Sequence, residues 1–538
     1  MSDSVLETES IYGISEDFSH ETCSDHETFV EDSENNRPKL LPATVSSLPP
    51  AHHIPDIVLP CCIPGPKLTS VRSRKKNKKA NNTVLEINPE CISASIKNGL
   101  YKPSKAETDA FMQLRKIFSE AVQFRDYYFD FFPVDRAVKR AHDVGEIVGK
   151  SLESITKLGN LFKPRNLPWF FAYRALCLSV DSLRVKEAHD ELQFAVRHLA
   201  HFPALWIALG ESHWEQGDYY MAVACFEKAA MLDASDVVPL VKLSCSMRLL
   251  LGKETDSTER LKMLLRMVSL AKDAVARCPD SGDTWYNLGT SLLVYFSAKA
   301  QSDLILESLA AFEKASSCRI LLGKAEFHYN YGTANILYGN YQEAIDMWLR
   351  ASALEPDWDK PKEKLVELVK YLTFISDLVT GKDRTFRRRV KQLAESVPRK
   401  NLSSILVDPA SPRTAYKIVS VKTLSVGQNA GLMAHGKIYA TTYQTPDPSR
   451  LIFLIDSTGE AIPVIIYHMG IEFSVGGSVS IPDPFVRLVR LVHNHTDICF
   501  RYIRVDEPWR MFHNLIRVPR KQCASTVVLT TPVSNASH

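Results

Sequence analysis

The chain lacks any run of eighteen consecutive apolar residues, which excludes a membrane-spanning helix of ordinary length. It has no GxSxG and no HExxH, so neither a nucleophile elbow nor a zincin helix is present. The nearest approach to a phosphate-binding loop is Gly431-Leu-Met-Ala-His-Gly-Lys437. There Ile438 stands where Ser or Thr must hold magnesium, and strand-like sequence follows where a helix N-terminus is needed. His493-Asn-His495 has neither a carboxylate nor a third histidine at ligand spacing. The eleven cysteines are scattered without a CxxC pair. Cys61-Cys62 adjoins prolines, while Cys225 and Cys245 fall at helix-core positions, so reduced structural thiols are expected. No enzymatic activity, metal or cofactor is expected. The acidic N-terminus carries no signal-peptide pattern, and the chain is expected to be soluble and to work in the cytoplasm and nucleus.

A formal charge of +3 points to no partner by itself. The distribution is more telling. Residues 1–36 contain eleven Asp and Glu and no Lys or Arg. Residues 37–66 are rich in proline, and Arg72, Arg74, Lys75, Lys76, Lys78 and Lys79 then form a basic run. Too few apolar residues recur at regular spacing to build a core, so 1–104 is expected to be a disordered acidic, Pro-rich and then basic tail. Its basic run fits a nuclear-import signal, a nucleic-acid contact or a solubilising cluster equally well.

From residue 106 the period becomes helical. Phe111, Leu114, Ile117, Phe118, Val122 and Phe129 fall near one face. Pro133 ends that segment, and a second helix is expected over 134–158. A repeated grammar follows. Its clearest copy is Trp206, Leu209, Gly210, Gly217, Ala222, Phe226 and Ala229. Another holds Trp285, Leu288, Gly289, Phe312 and Ala315, and a third Gly332, Gly339, Tyr341, Ala344, Trp348, Ala351 and Pro356. Small residues let two helices approach closely and large aromatics lock them, which are the anchor positions of a tetratricopeptide repeat of ~34 residues. Five such units are read between 169 and 356. The third carries a polar insertion at 253–259, and the fourth has roughly seven extra residues near 297–303. A single unit cannot bury its apolar face, so the units stack into a superhelix with a peptide-sized groove. A terminal helix over 360–379 supplies Leu365, Leu368, Leu372 and Ile375 as a cap, which sets 105–380 as the helical region.

Composition shifts again beyond this point. Residues 381–411 form a basic linker with Lys382, Arg384, Arg387, Arg388, Arg389 and Lys391. From 412 to 518 the period falls to two, with short strands at 417–421, 436–440, 451–455, 464–467, 478–481, 487–491 and 499–503. Asp456-Ser-Thr-Gly459 marks a hairpin turn and Gly476-Gly477 a bend. Several short strands in about 100 residues indicate a small OB-type β-barrel, followed by a flexible end over 519–538. The fold class is therefore multidomain α plus β: an all-α tetratricopeptide-repeat superhelix, then an OB-fold barrel, preceded by a disordered tail. An OB barrel invites a nucleic-acid reading through Arg487, Arg490, Arg501 and Arg504, with Tyr439, Tyr443 and Tyr502 as stacking platforms. A partner-docking surface fits the same residues.

Three segments narrow this further. Gln123-Phe-Arg-Asp-Tyr-Tyr-Phe-Asp130, Thr284-Trp-Tyr-Asn-Leu-Gly289 and Gly477-Ser-Val-Ser-Ile-Pro-Asp-Pro484 resemble the tetratricopeptide repeat protein 5 family. The order of parts is also similar, from about residue 106 to 508. The resemblance implies a non-enzymatic adaptor that recognises the N-terminal peptide of nascent tubulin at the ribosome and triggers decay of tubulin messages. It also implies a nuclear alternative, a stress-responsive transcription cofactor that scaffolds an acetyltransferase coactivator complex and an actin-nucleating factor.

The tubulin N-terminus begins Met-Arg-Glu, so its reader needs contacts of both signs. The resemblance assigns Arg248 to the ligand carboxylate and Glu326 to the ligand arginine. A second acidic position of the family falls on Lys360, a charge reversal, with Asp359 one residue earlier as a substitute. Asn287, Asn330 and Asn335, on first helices of repeats, are candidates for gripping the peptide backbone. Lys382, Arg384, Arg387, Arg388 and Arg389 match in charge and position the family's segment that contacts ribosomal RNA. Such phosphate contacts depend on charge more than on exact spacing.

Overall fold

The computed structural model describes residues 104–162, 166–254, 256–298, 303–380, 384–397, 416–442, 449–470, 472–493 and 496–523. The expected tail 1–104 lies outside them except for Ser104, and so do Lys382, Tyr443, His495 and the chain beyond Cys523. All described residues fall within one compact unit.

The helical region opens with α1 (Lys105–Asp126) and α2 (Arg140–Leu158). Ser104 begins α1 with a reciprocal capping box: its Oγ accepts from the Glu107 N–H, and the Glu107 carboxylate accepts from the Ser104 N–H. The second helix starts later than the sequence suggests. After Pro133 the chain winds tightly as a 3-10 turn over Val134–Lys139 before α2 proper. Five antiparallel pairs follow: α3 (Leu167–Leu178) with α4 (Val185–His198), α5 (Pro203–Glu215) with α6 (Tyr219–Leu232), α7 (Val238–Leu251) with α8 (Ser257–Arg277), α9 (Gly282–Ala298) with α10 (Asp303–Ala315), and α11 (Ala325–Tyr338) with α12 (Tyr341–Leu354). The glycine–aromatic grammar is a packing rule. A Cβ on Gly210 would lie 2.6 Å from the Phe226 ring, and one on Gly332 would lie 2.6 Å from Trp348. No side chain fits between those helices.

The tip of the α1–α2 hairpin reaches the far end of the series. Phe129 and Val134 pack on the core of the last repeats, and Phe129 touches the Gly323 turn. Asp130 pairs with Arg319 at 3.1 Å, and the 134–139 turn packs on α12. This hairpin is therefore more than an N-terminal cap.

Helix α13 (Lys360–Thr380) follows the last pair and buries Leu368, Tyr371, Leu372 and Ile375. The basic linker expected after it contains a helix, α14 (Arg384–Glu395), which packs on the barrel and buries Ala394.

The barrel comprises β1 (Lys417–Val419), β2 (Gly427–Gln428), β3 (Leu432–Thr442), β4 (Ser449–Ile455), β5 (Ala461–Tyr467), β6 (Ser478–Pro482), β7 (Phe485–His493), β8 (Thr496–Val505), β9 (Phe512–His513) and β10 (Ile516–Arg517). The sheet order is β10-β9-β6-β3-β4-β5-β8-β7-β2, with β1 parallel to β3. The predicted hairpin joins β4 to β5, with Gly459 at φ +88°. Pro519 does not begin a frayed end: residues 520–522 form a turn, and Cys523 is buried.

This sheet is covered on both faces. Ile452, Leu454, Val464 and Ile466 fill the barrel interior. Their strand neighbours Leu451, Phe453, Ile465 and Tyr467 join Trp348, Leu372 and Ile375 in one core shared with the helices. Double-sided burial explains why β4 and β5 read as unbroken apolar runs rather than alternating ones.

Candidate peptide-binding groove

First helices of stacked repeats line the concave side of a tetratricopeptide array, and the charged candidates sit on them. Lys242, Cys245 and Arg248 recur every third residue along α7, Asn287 lies on α9, and Glu326 and Asn330 lie on α11. Arg248 is buried, at 8% exposure. Its Nη1 donates to Asn287 Oδ1 (3.2 Å), Thr290 Oγ1 (2.6 Å) and Ser291 Oγ (3.3 Å), and its Nη2 lies 3.0 Å from Cys245 Sγ. All four partners are neutral groups. Among the described residues, the buried Nε of Arg248 and Nδ2 of Asn287 have no hydrogen-bond partner. The guanidinium is thus held in place without a neutralising carboxylate in hydrogen-bond contact, which leaves its charge available to an anionic ligand.

Glu326 is open to solvent, yet surrounding protein pushes its carboxyl above the usual range, against the pull of Lys324, Lys242 and Arg248. A side chain that is both accessible and desolvated stands in a concavity. Tyr286 lines the same place: burial and the Glu326 charge raise its phenol, whose oxygen accepts from Asn330 Nδ2 at 2.7 Å. Arg248 and Glu326 therefore present opposite charges on neighbouring faces of one groove.

Several groove residues escaped the sequence reading. Glu211 on α5 pairs with Lys242 at 2.6 Å. Glu215 and Glu355 are each raised first by burial and further by the charge of Glu326. The three-residue step from Lys242 to Arg248 was a readable signal; the acids came from helices too distant in sequence to be linked.

Asp359 does not join the set. It pairs with Lys362 at 3.4 Å, with 76% of its side chain exposed, while the cations acting on Glu326 are Lys324, Lys242 and Arg248. Lys360 lies 5.7 Å from the Tyr329 ring, and burial lowers its ammonium. Asn335 is spent on the end of α11: its Nδ2 donates to Tyr331 O, its Oδ1 accepts from Asn340, and its carbonyl accepts from Gly339. Arg384, Arg387, Arg388 and Arg389 fall on α14.

The barrel residues offered for nucleic acid are largely committed elsewhere. Tyr502 is fully buried. Arg487 donates to Tyr338 O and, at 3.1 Å, to Asn340 Oδ1. Arg504 donates to the same Tyr338 carbonyl at 2.8 Å and pairs with Asp506. Two cations thus receive the C-terminus of α11, where the helix dipole is negative. Arg501 donates to Leu424 O at 2.9 Å. Among the described residues no cluster of potential metal ligands occurs, and no helix is long and apolar enough to cross a membrane.

Comparison with known proteins agrees with this anatomy. Residues 415–527 match the model of the tetratricopeptide repeat protein 5 OB fold domain, and residues 203–236 match that of the tetratricopeptide repeat. The chain is 26% identical over 404 residues to human tetratricopeptide repeat protein 5, across 74% of this chain and 91% of that one. To the mouse protein it is 26% identical over 418 residues, across 76% and 94%. A thermophilic tetratricopeptide-repeat protein of Thermus thermophilus covers 36% of this chain and 97% of its own, at 15% identity and TM-score 0.32. The resemblance read from the sequence motifs is the one found by comparison, and repeats joined to this OB domain suggest a protein-binding adaptor.

Proposed function

We propose that this chain, a relative of tetratricopeptide repeat protein 5, is a non-enzymatic adaptor that reads the N-terminal peptide of nascent tubulin at the ribosome and so triggers tubulin message decay. The observation that carries this reading is the pairing of Arg248, held by neutral partners alone, with the accessible but desolvated Glu326. A Met-Arg-Glu segment offers one cation and one anion to such a groove. A ligand of the wrong charge would leave a desolvated group unpaired, which is the source of selectivity. The basic residues Arg384, Arg387, Arg388 and Arg389 would serve the contact with ribosomal RNA. Two weak contacts on one body then gain avidity through effective concentration.

The test is binding of a labelled Met-Arg-Glu tubulin peptide to the full chain, to Arg248→Ala and to Glu326→Ala, with ribosome co-sedimentation alongside. Micromolar binding lost in both variants supports the reading. Absence of binding by the unmodified chain would defeat it, and the nuclear coactivator-scaffold alternative would then lead.

A further inference from the structure

The seam between repeats and barrel leaves a cleft of about 300 Å³ that the groove reading does not use. It is bounded by the start of α10, the end of α11, the β6–β7 turn and the segment after β8. We propose that this cleft docks a linear peptide segment carrying an aliphatic or aromatic anchor beside a lysine or arginine.

The apolar half of the argument is the rim. Leu306 and Phe485 face the cleft from opposite domains and remain 48% and 38% exposed. Ile305, Ile481 and Met511 continue that surface inward. Pockets at domain boundaries with apolar walls and a few fixed polar groups are the usual form of a ligand site.

The charged half decides the sign. The lining holds four carboxylates against three guanidiniums, and the guanidiniums are already engaged. Arg487 and Arg504 grip the end of α11. Arg510 lies 3.0 Å from Asp483 and 3.6 Å from Glu507. The Glu507 side chain is 44% exposed, and among the described residues its carboxylate has only that long contact to Arg510, so it retains acceptor sites for an incoming cation. An anion would have to displace these internal partners; a cation would not.

The site is also preformed. Asp483, at φ +46°, is fixed by accepting from Gly431 N–H at 2.7 Å, Tyr416 Oη at 3.3 Å and Arg510. Prolines 482 and 484 flank it. A rigid wall lowers the ordering cost of binding a flexible peptide. This is the Ile-Pro-Asp-Pro stretch singled out in the sequence, to which the groove assigns no task.

The experiment is fluorescence anisotropy on the full chain with three labelled hexapeptides: Gly-Ser-Phe-Lys-Ser-Gly, Gly-Ser-Phe-Glu-Ser-Gly and Gly-Ser-Ser-Lys-Ser-Gly. The Phe-Lys peptide is expected to bind with Kd of about 100 µM, typical of a single-anchor contact, and the other two at least ~10-fold more weakly. Leu306→Asp and Glu507→Lys, both at side chains accessible to solvent, should each weaken Phe-Lys binding at least ~5-fold while the circular dichroism spectrum is unchanged. Equal binding of all three peptides, no binding up to millimolar concentration, or full affinity in Leu306→Asp would overturn the proposal. Binding of Phe-Glu in preference to Phe-Lys would refute the charge argument in particular.

Discussion

Replacing Arg504 with methionine should separate the melting of the barrel from that of the repeats. The Arg504 side chain is 3% exposed. Its Nε donates to Asp506 Oδ2 at 2.9 Å, its Nη1 donates to Tyr338 O at 2.8 Å, and its guanidinium lies 4.3 Å from the Tyr467 ring. Methionine preserves much of the stem's packing but leaves Asp506 without its cation. Removing one member of a buried pair costs about 3–5 kcal/mol. Arg487 still serves the Tyr338 carbonyl, which places the loss near the lower end of that range. For cooperative units of this size, each kcal/mol moves Tm by roughly 2–4 °C, so a fall of roughly 6–12 °C is expected. The tryptophans allow an assignment, since six of the seven lie in the helical region and only Trp509 in the barrel. Calorimetry combined with near-UV circular dichroism should show an earlier transition with little tryptophan signal, followed by the repeats. The double variant Arg504→Met/Asp506→Leu should recover a large part of the loss, because no buried charge remains. A shift below ~2 °C, or a double variant no better than the single, would refute this account of the seam.

Three further outcomes are expected of the protein. Gly332→Ala puts a Cβ 2.6 Å from buried Trp348 and should destabilise by about 1–3 kcal/mol, whereas Gly149→Ala, with nothing within 4 Å, should stabilise by up to ~1 kcal/mol in urea titrations. Burial depresses His328 and His468 to about 4 from an ordinary 6.5; the unfolded chain therefore binds more protons between these values, so stability should fall as pH drops from about 6.5 towards 4, and His328→Gln should flatten that slope in pH-dependent denaturation. Lys360→Glu should tighten Met-Arg-Glu peptide binding by roughly 3–10-fold in anisotropy titrations through a second acid on the groove rim; unchanged affinity would place position 360 outside the ligand's reach.

Much of the architecture was legible because packing wrote it into spacing. Gly210 with Phe226, and Gly332 with Trp348, are readable as pairs since a helix hairpin fixes their separation. Six of the seven predicted strands fall within observed ones; the first, 417–421, overruns β1, which stops at Val419 before a 3-10 turn. The seam was less legible. Arg487, Arg490, Arg501 and Arg504 have the composition of a phosphate-binding face, and the same cations serve equally well to hold a helix C-terminus. Only the unbroken runs Leu451-Ile-Phe-Leu-Ile455 and Val464-Ile-Ile-Tyr467 hinted that the sheet would be covered twice. In the groove, Arg248 and Glu326 could be named from resemblance and local helix position. Glu215 and Glu355 could not, because tertiary stacking alone brings them near Glu326.

The contact between the α1–α2 tip and the last repeats changes what kind of object the helical region is. An open solenoid stores its stability in nearest-neighbour interfaces, so it can fray from either end and unfold piecemeal. Here Asp130 and Arg319 meet across 189 residues, with half-buried Phe129 beside the Gly323 turn. Tying the first hairpin to the fifth pair removes a free end and makes the loss of any internal unit felt at both. Such a chain pays for that closure in folding speed, since the joining contact is non-local and waits for nearly all of the repeats to emerge. During synthesis the groove would stay unclosed until the last pair is made, and afterwards its walls would move as one body.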